Sequence, residues 1–208
     1  GLSIGKLTDG KKLIERILKE SKSAPRFTSD GKFSLFTISD SYTYEDIDRT
    51  IELSDIITYE FDRTKREDII TSVKMFYRYD NGHKRYTFDT YKDIDTILPD
   101  YALTGYEYHN VEKEDTFKEI RLKYHTDKLT VEDFAKYTIM NNCNPHNIAK
   151  LKLPLNYMDL QVGDKIHIPL INNEKIFDLD YSKVEYLNGQ PIYPLWIVTE
   201  TPICKCKS

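Results

Sequence analysis

Five histidines, three cysteines and 34 Asp and Glu residues are the groups that could carry acid–base, nucleophilic or metal chemistry in this chain of 208 residues. The histidines are His83, His109, His125, His146 and His167. No two stand four residues apart, as a zinc-binding His-Glu-x-x-His helix requires. Cys143 and His146 have the spacing of half a zinc site, but no second pair sits at a matching spacing. Two of the cysteines, Cys204 and Cys206, fall in a terminal Cys-Lys-Cys, and an odd, low count argues against a disulfide framework. Solvated or packed thiols are therefore expected. There is no Gly-x-Ser-x-Gly elbow and no Gly-rich phosphate loop among only eight glycines. Carboxylates abound, yet the sequence selects no pair for glycoside hydrolysis. His167 lies between Ile166 and Ile168 and is expected half-exposed, pointing away from both. The expectation is a protein without catalytic residues, metal or cofactor.

One charged run could serve binding instead. Asp62-Arg63-Thr64-Lys65-Arg66-Glu67-Asp68 is mixed in sign. It reads either as a solvated turn or as a polar contact to a neighbouring subunit. In the second case Arg63 and Arg66 could each grip a carboxylate with two hydrogen bonds. The Tyr-rich stretch from Tyr101 to Tyr108 suits interface anchoring and an ordinary sheet surface about equally.

The elements that must position these groups follow from spacing. Asp9 can cap a helix whose stripe is Leu13, Ile14, Ile17 and Leu18, stopped by Pro25. Asp30-Gly31, between β-prone runs, predicts a hairpin over 26–38. Alternation from Ile57 to Phe61 and from Val73 to Tyr79 predicts strands, the second turning at Asp80-Asn81-Gly82 into a partner from Lys84 to Phe88. Lys118 to Tyr124 reads as a further strand. Thr130 can cap a second helix that buries Val131, Phe134, Ala135, Thr138 and Ile139, with Asp133 as a shortened capping-box acid. Strands are expected at 148–154, 161–169, 184–187 and 193–199, the last two joined by Asn188-Gly189. Gly163, between Val162 and Asp164, is expected in a backbone conformation that side chains disfavour.

The balance of residues, 39% hydrophobic, 31% charged and 12% aromatic, excludes a disordered or fibrous class. A net charge of −4 gives no electrostatic reason for nucleic acid as the main partner. No apolar run approaches the roughly 18–20 residues that cross a bilayer as a helix. The chain opens Gly1-Leu2-Ser3, which reads as a piece of something longer. Many short strands with two short helices predict an α+β fold, mostly antiparallel, with a small barrel-like domain.

The order of these pieces resembles the baseplate hub protein of contractile-tailed bacteriophages. The helix and Asp-Gly-Lys-Phe hairpin match Leu13 to Ile38. An Asp-Ile-Ile-x-Tyr-x-Phe-x-Arg-Thr segment matches Asp55 to Thr64, and an acidic-Ile step into a Val-x-x-x-Tyr strand matches Glu67 to Tyr77. Leu-Pro-Leu-x-Tyr-x-x-Leu-x-Val-Gly-Asp matches Leu153 to Asp164, and the stretch from Asn188 to Thr199 is similar as well. The resemblance implies a structural virion protein of the tail baseplate, a subunit of a homotrimeric hub ring between the tail tube and the puncturing spike. Its implied partners are further copies, the spike and tube proteins and other baseplate proteins, with DNA passing through the lumen without specific binding. It divides the chain into a helix-plus-hairpin segment, 1–64, a barrel-like hub domain with one inserted helix, 65–203, and a tail, 204–208.

A second resemblance is to the peptidoglycan-binding lysin motif. Asp115-Thr116-Phe117 is similar to its opening step, and Val162-Gly163-Asp164-Lys165-Ile166-His167-Ile168-Pro169 to its closing strand. The alternative function it implies is a peptidoglycan-binding or peptidoglycan-hydrolysing tail-tip module, although the separation is long for that compact fold.

Overall fold

The computed structural model describes residues 10–28, 31–39, 42–97, 116–169, 175, 180–187 and 190–200. Asp9, the Asn188-Gly189 turn, the stretch from Tyr101 to Tyr108, His109, Asp115, Cys204 and Cys206 lie outside the described residues. The fold is α+β with mostly antiparallel pairing. It divides into two compact units, each built from two stretches: Gly1–Ser23 with Asp62–Ile148, and Ala24–Phe61 with Ala149–Ser208. These interleaved units differ from the contiguous stretches 1–64 and 65–203. Among the described residues the sheets have two or three strands and none closes into a barrel, because most strands are too short to carry pairing around a circle.

Unit 1 holds three helices among its described residues: α1 (Gly10–Lys19), α2 (Ile94–Ile97) and α3 (Lys128–Asn142). In α1 the expected stripe is graded, with Leu18 buried and Ile14 exposed. The helix ends well before Pro25, and Lys22 takes a positive φ of 56° as the chain reverses. The central sheet runs in the order β6 (Arg85–Asp93), β5 (Ser72–Asp80), β7 (Phe117–Arg121). β6 returns antiparallel to β5, whereas β7 runs parallel to it, Val73 opposite Lys118 and Met75 opposite Ile120. Val73, Met75 and Tyr77 point inward by the period of two and meet Val131, Ala135 and Ile139 from one face of α3.

The cap of α3 is Asp127, not Thr130. The Asp127 carboxylate accepts from the Thr130 backbone N–H at 2.8 Å and from its hydroxyl at 2.9 Å. Asp outcompetes Thr here because its carboxylate reaches two donors of the first turn at once. At the β5–β6 turn the positive φ falls on Lys84, at 53°, rather than on Gly82. Asp80 Oδ1 accepts from the backbone N–H groups of Gly82 and His83, which fixes the turn without help from glycine.

Unit 2 is made of short pieces. β1 (Ser23–Phe27) and β2 (Phe33–Thr37) form the expected hairpin, with Gly31 at φ +78°. Its loop is longer than two residues: Gly31 N–H donates to Thr28 O and Thr28 N–H to Lys32 O, the pattern of a turn followed by a left-handed glycine. β4 (Thr58–Arg63) pairs with β8 (Asn147–Lys152), and the unit boundaries along the chain fall within β1, β4 and β8. β9 (Lys165–His167) lies between β3 (Arg49–Thr50), parallel, and β12 (Trp196–Ile197), antiparallel. β10 (Glu185–Leu187) pairs with β11 (Gln190–Ile192), so the partner strand begins earlier than the expected residue 193. The core gathers Ile51, Tyr157, Ile166, Ile168, Tyr181 and Trp196. Each such side chain, fully buried, contributes about 1.5–3 kcal/mol.

Candidate functional site

Among the described residues, four histidines and Cys143 make contacts within the fold. His125 Nε2 donates to Glu20 O at 2.8 Å, and His167 Nε2 to Tyr181 O at 2.8 Å. His167 is half-buried between two buried isoleucines, as its alternation predicts. His83 Nδ1 lies 2.6 Å from Asp80 Oδ2 in an exposed turn, and His146 Nε2 bonds to Asn141 O. Cys143 is buried at the end of α3, and desolvation pushes its thiol above the ordinary value, away from the reactive thiolate. Among the described residues no three His, Cys, Asp or Glu side chains converge as a metal site. A shallow cleft beside α3 is lined by Lys92, Thr96, Ile97, Glu132, Asp133 and Lys136, with Lys92 3.6 Å from Glu132. Two lysines face two carboxylates along it.

The charged run predicted for binding begins at the end of β4. Arg63 is exposed and its backbone N–H donates to Asp62 Oδ1 at 2.7 Å. A 3-10 turn spans Arg66–Asp68, and the Arg66 side chain lies outside the described ones. Lys65 and Glu67 pair at 3.3 Å in the open. Thr64 anchors the run: its N–H donates to His146 O, and its hydroxyl accepts from His146 N–H at 2.8 Å.

A second surface was not legible as a site in the sequence. The sheet face of unit 1 opposite α3 presents Lys74 and Phe76 from β5, Asp89 and Tyr91 from β6, and Phe117, Glu119 and Arg121 from β7. Tyr91 and Phe117 stack across the sheet with ring centroids 6.4 Å apart, at 50% and 42% exposure. Lys74 Nζ and Arg121 Cζ lie 5.2 and 5.5 Å from the Phe76 ring centre. Lys74 also pairs with Asp89 at 3.4 Å, and Arg121 with Glu119 at 3.3 Å. Tyr86 and Tyr79 extend the aromatic row: Tyr86 is 6.3 Å from Phe76 and 5.0 Å from Tyr79. Simple alternation would put Tyr79 on the core side with Tyr77. Arg78, at φ 54°, breaks the alternation, so Arg78 lies over Phe88 on the Tyr77 side while Tyr79 joins Phe76. The signal in the sequence was the density of aromatics in three strands. The switch of face at Arg78 hid which of them gather.

The two ends of the lysin-like motif fall in different units. Thr116 and β7 belong to unit 1, whereas β9 belongs to unit 2 and pairs with β3 and β12. Compared with known proteins, the sequence matches no family model and no curated protein.

Proposed function

We propose that this chain is a structural subunit of a phage tail baseplate, a non-enzymatic hub component that assembles into a ring, a homotrimer, between the tail tube and the puncturing spike. The observation that carries the reading is the outward sheet face of unit 1. Tyr91 and Phe117 are left half in water beside Phe76 and Arg121, the residue types that subunit contacts bury at their centres. The order of sequence motifs from Leu13 to Thr199 supports the hub reading. Further copies, the spike, the tube and other baseplate proteins are its partners, and the virion tail is its place. DNA passes through the lumen without specific binding, in keeping with a net charge of −4.

The mass of the native assembly tests this reading. A stable ring of three copies is expected by sedimentation. A chain that stays monomeric and is pulled down by purified peptidoglycan, or releases muropeptides from it, would overturn it. The Arg63→Ala/Arg66→Ala double variant tests the charged run within it. If the run bridges subunits, the monomer stays folded by circular dichroism while the oligomer fraction drops, since truncating one side of a desolvated pair costs roughly 2–5 kcal/mol. Unchanged assembly across a dilution series makes the run a solvated turn, where such pairs contribute about 0–1 kcal/mol.

A further inference from the structure

The two units differ in charge. Unit 1 carries 20 Lys and Arg against 19 Asp and Glu, and unit 2 carries 10 against 15. Each also exposes an apolar surface, and the two surfaces are rimmed differently. On unit 1 it is the aromatic sheet face, with Lys74, Arg121 and Lys123 each over a ring and with Asp89 and Glu119 beside them. On unit 2 it is a pair of 3-10 turns, Leu53–Asp55 and Leu155–Tyr157, joined where the Tyr157 hydroxyl donates to Asp55 Oδ2 at 2.7 Å. Leu155 and Met158, three residues apart and so on one side of such a turn, are 76% and 69% exposed. Glu52, Asp55 and Asp159 accompany them, with Arg49 held by Asp159 at 3.2 Å.

We infer that the aromatic sheet face of unit 1 receives the Leu155–Met158 turn of unit 2 from a second copy of this chain, joining subunits head to tail. The inference rests on the subunit reading above and names two surfaces for it. Leu155 and Met158 supply apolar side chains for a bed of Tyr91, Phe117 and Phe76, and thioether–aromatic contact adds to the burial. The acids beside the turn meet the cations around the rings, which fixes orientation and speeds encounter. Pairing the turn with its own copy sets Glu52, Asp55 and Asp159 against one another, whereas the sheet face offers cations to them, so the contact joins two different faces. Repetition of such a heterologous contact closes into a ring where the rotation permits and otherwise runs on.

Two variants separate the faces: Tyr91→Ser/Phe117→Ser on the sheet and Leu155→Ser/Met158→Ser on the turn. Arg121→Glu and Asp159→Lys provide a second pair of exposed changes, and circular dichroism confirms folding of all four. Each variant alone is expected to sediment as a monomer at concentrations where the unaltered chain is larger, with association weakened roughly tenfold or more. A sheet variant mixed with a turn variant retains one intact contact, so the mixture is expected to form a one-to-one dimer and nothing larger. A mixture that stays monomeric overturns the inference. Variants that keep the mass of the unaltered chain also overturn it, while leaving the ring to another interface. An unaltered chain that is itself monomeric overturns both the inference and the subunit reading.

Discussion

In unit 1 a fifteen-residue helix lies on a three-stranded sheet whose two longest strands have nine residues each. In unit 2 the core of Ile51, Tyr157, Ile166, Ile168, Tyr181 and Trp196 is reached by strands of two to six residues and by turns. Backbone ladders do most of the ordering in the first. In the second, individual side chains do it: Arg26 Nη1 reaches Asp164 Oδ1 at 3.1 Å, Asp164 Oδ2 accepts from Gln161 N–H at 2.8 Å, and Tyr157 holds Asp55. A regular layer spreads its stability over many equivalent bonds. A core held by turns concentrates it in a few positions. The probes are equally divided, because the only Trp of the chain, Trp196, sits in the unit 2 core while every α-helix among the described residues belongs to unit 1.

The largest effect is expected at Gly163. It sits at φ +95° in a turn closed by Asp164 N–H donating to Gln161 O, and its own N–H donates to Val198 O at 2.7 Å. An added Cβ would lie 2.7 Å from the ring of Phe36. Gly163→Val therefore combines backbone strain with a steric clash, together about 4 kcal/mol. Trp196 emission should report an early loss of unit 2, with the 222 nm ellipticity lagging behind. Coincident transitions would show one cooperative fold and dissolve the contrast. Gly163→Ala with Phe36→Ala separates the terms, since removal of the ring relieves the clash and leaves the strain.

The converse change belongs in unit 1. Met75 is fully buried under α3. Met75→Ala should cost about 3 kcal/mol through lost transfer energy and the cavity left behind. Here the 222 nm signal should fall first and Trp196 emission follow. A variant in which the emission moves first would reverse the assignment of probes to units.

The contrast also explains what could be read from the sequence. Period-two alternation announced β5, and the stripe of Val131, Ala135 and Ile139 announced α3, because regular elements write their period into the chain. Gly163 was legible for a different reason, since Val-Gly-Asp before an apolar run leaves little but a turn. Among the described residues no sheet closes into the expected barrel: each short strand looked like a member of one sheet, and pairing partners are set by tertiary packing that periodicity does not encode. The parallel neighbour β7 was hidden likewise. At the α3 start two good caps, Asp127 and Thr130, stood three residues apart, and only the geometry of the first turn ranks them. The aromatic sheet face depended on one backbone angle at Arg78, which no residue type announces.

The smallest expected effect compares one carboxylate in each unit. Asp127 is held below its ordinary value first by the Thr130 backbone N–H and then by its hydroxyl. Asp180 is lowered to about 2, first by the Ser182 hydroxyl, then by the Ser182 N–H and Lys183. Both are depressed in the folded state, so folding favours the ionised form. Their contribution is complete above the ordinary carboxylate value of 3.8 and erodes as the pH falls toward the folded value, near 2 for Asp180. Asp127 starts α3, so its protonation should appear as a loss at 222 nm in thermal melts. Asp180 precedes Tyr181, whose ring stacks on Trp196 at 4.7 Å, so its protonation should appear in Trp emission. Asn is itself a good cap, and Asp127→Asn should retain the helix at neutral pH while flattening the acid dependence of the 222 nm melt. Asp180→Asn should flatten only the emission. If either variant leaves its own acid limb unchanged, that carboxylate does not carry the acid sensitivity of its unit; if each flattens both signals, the two units unfold together in acid.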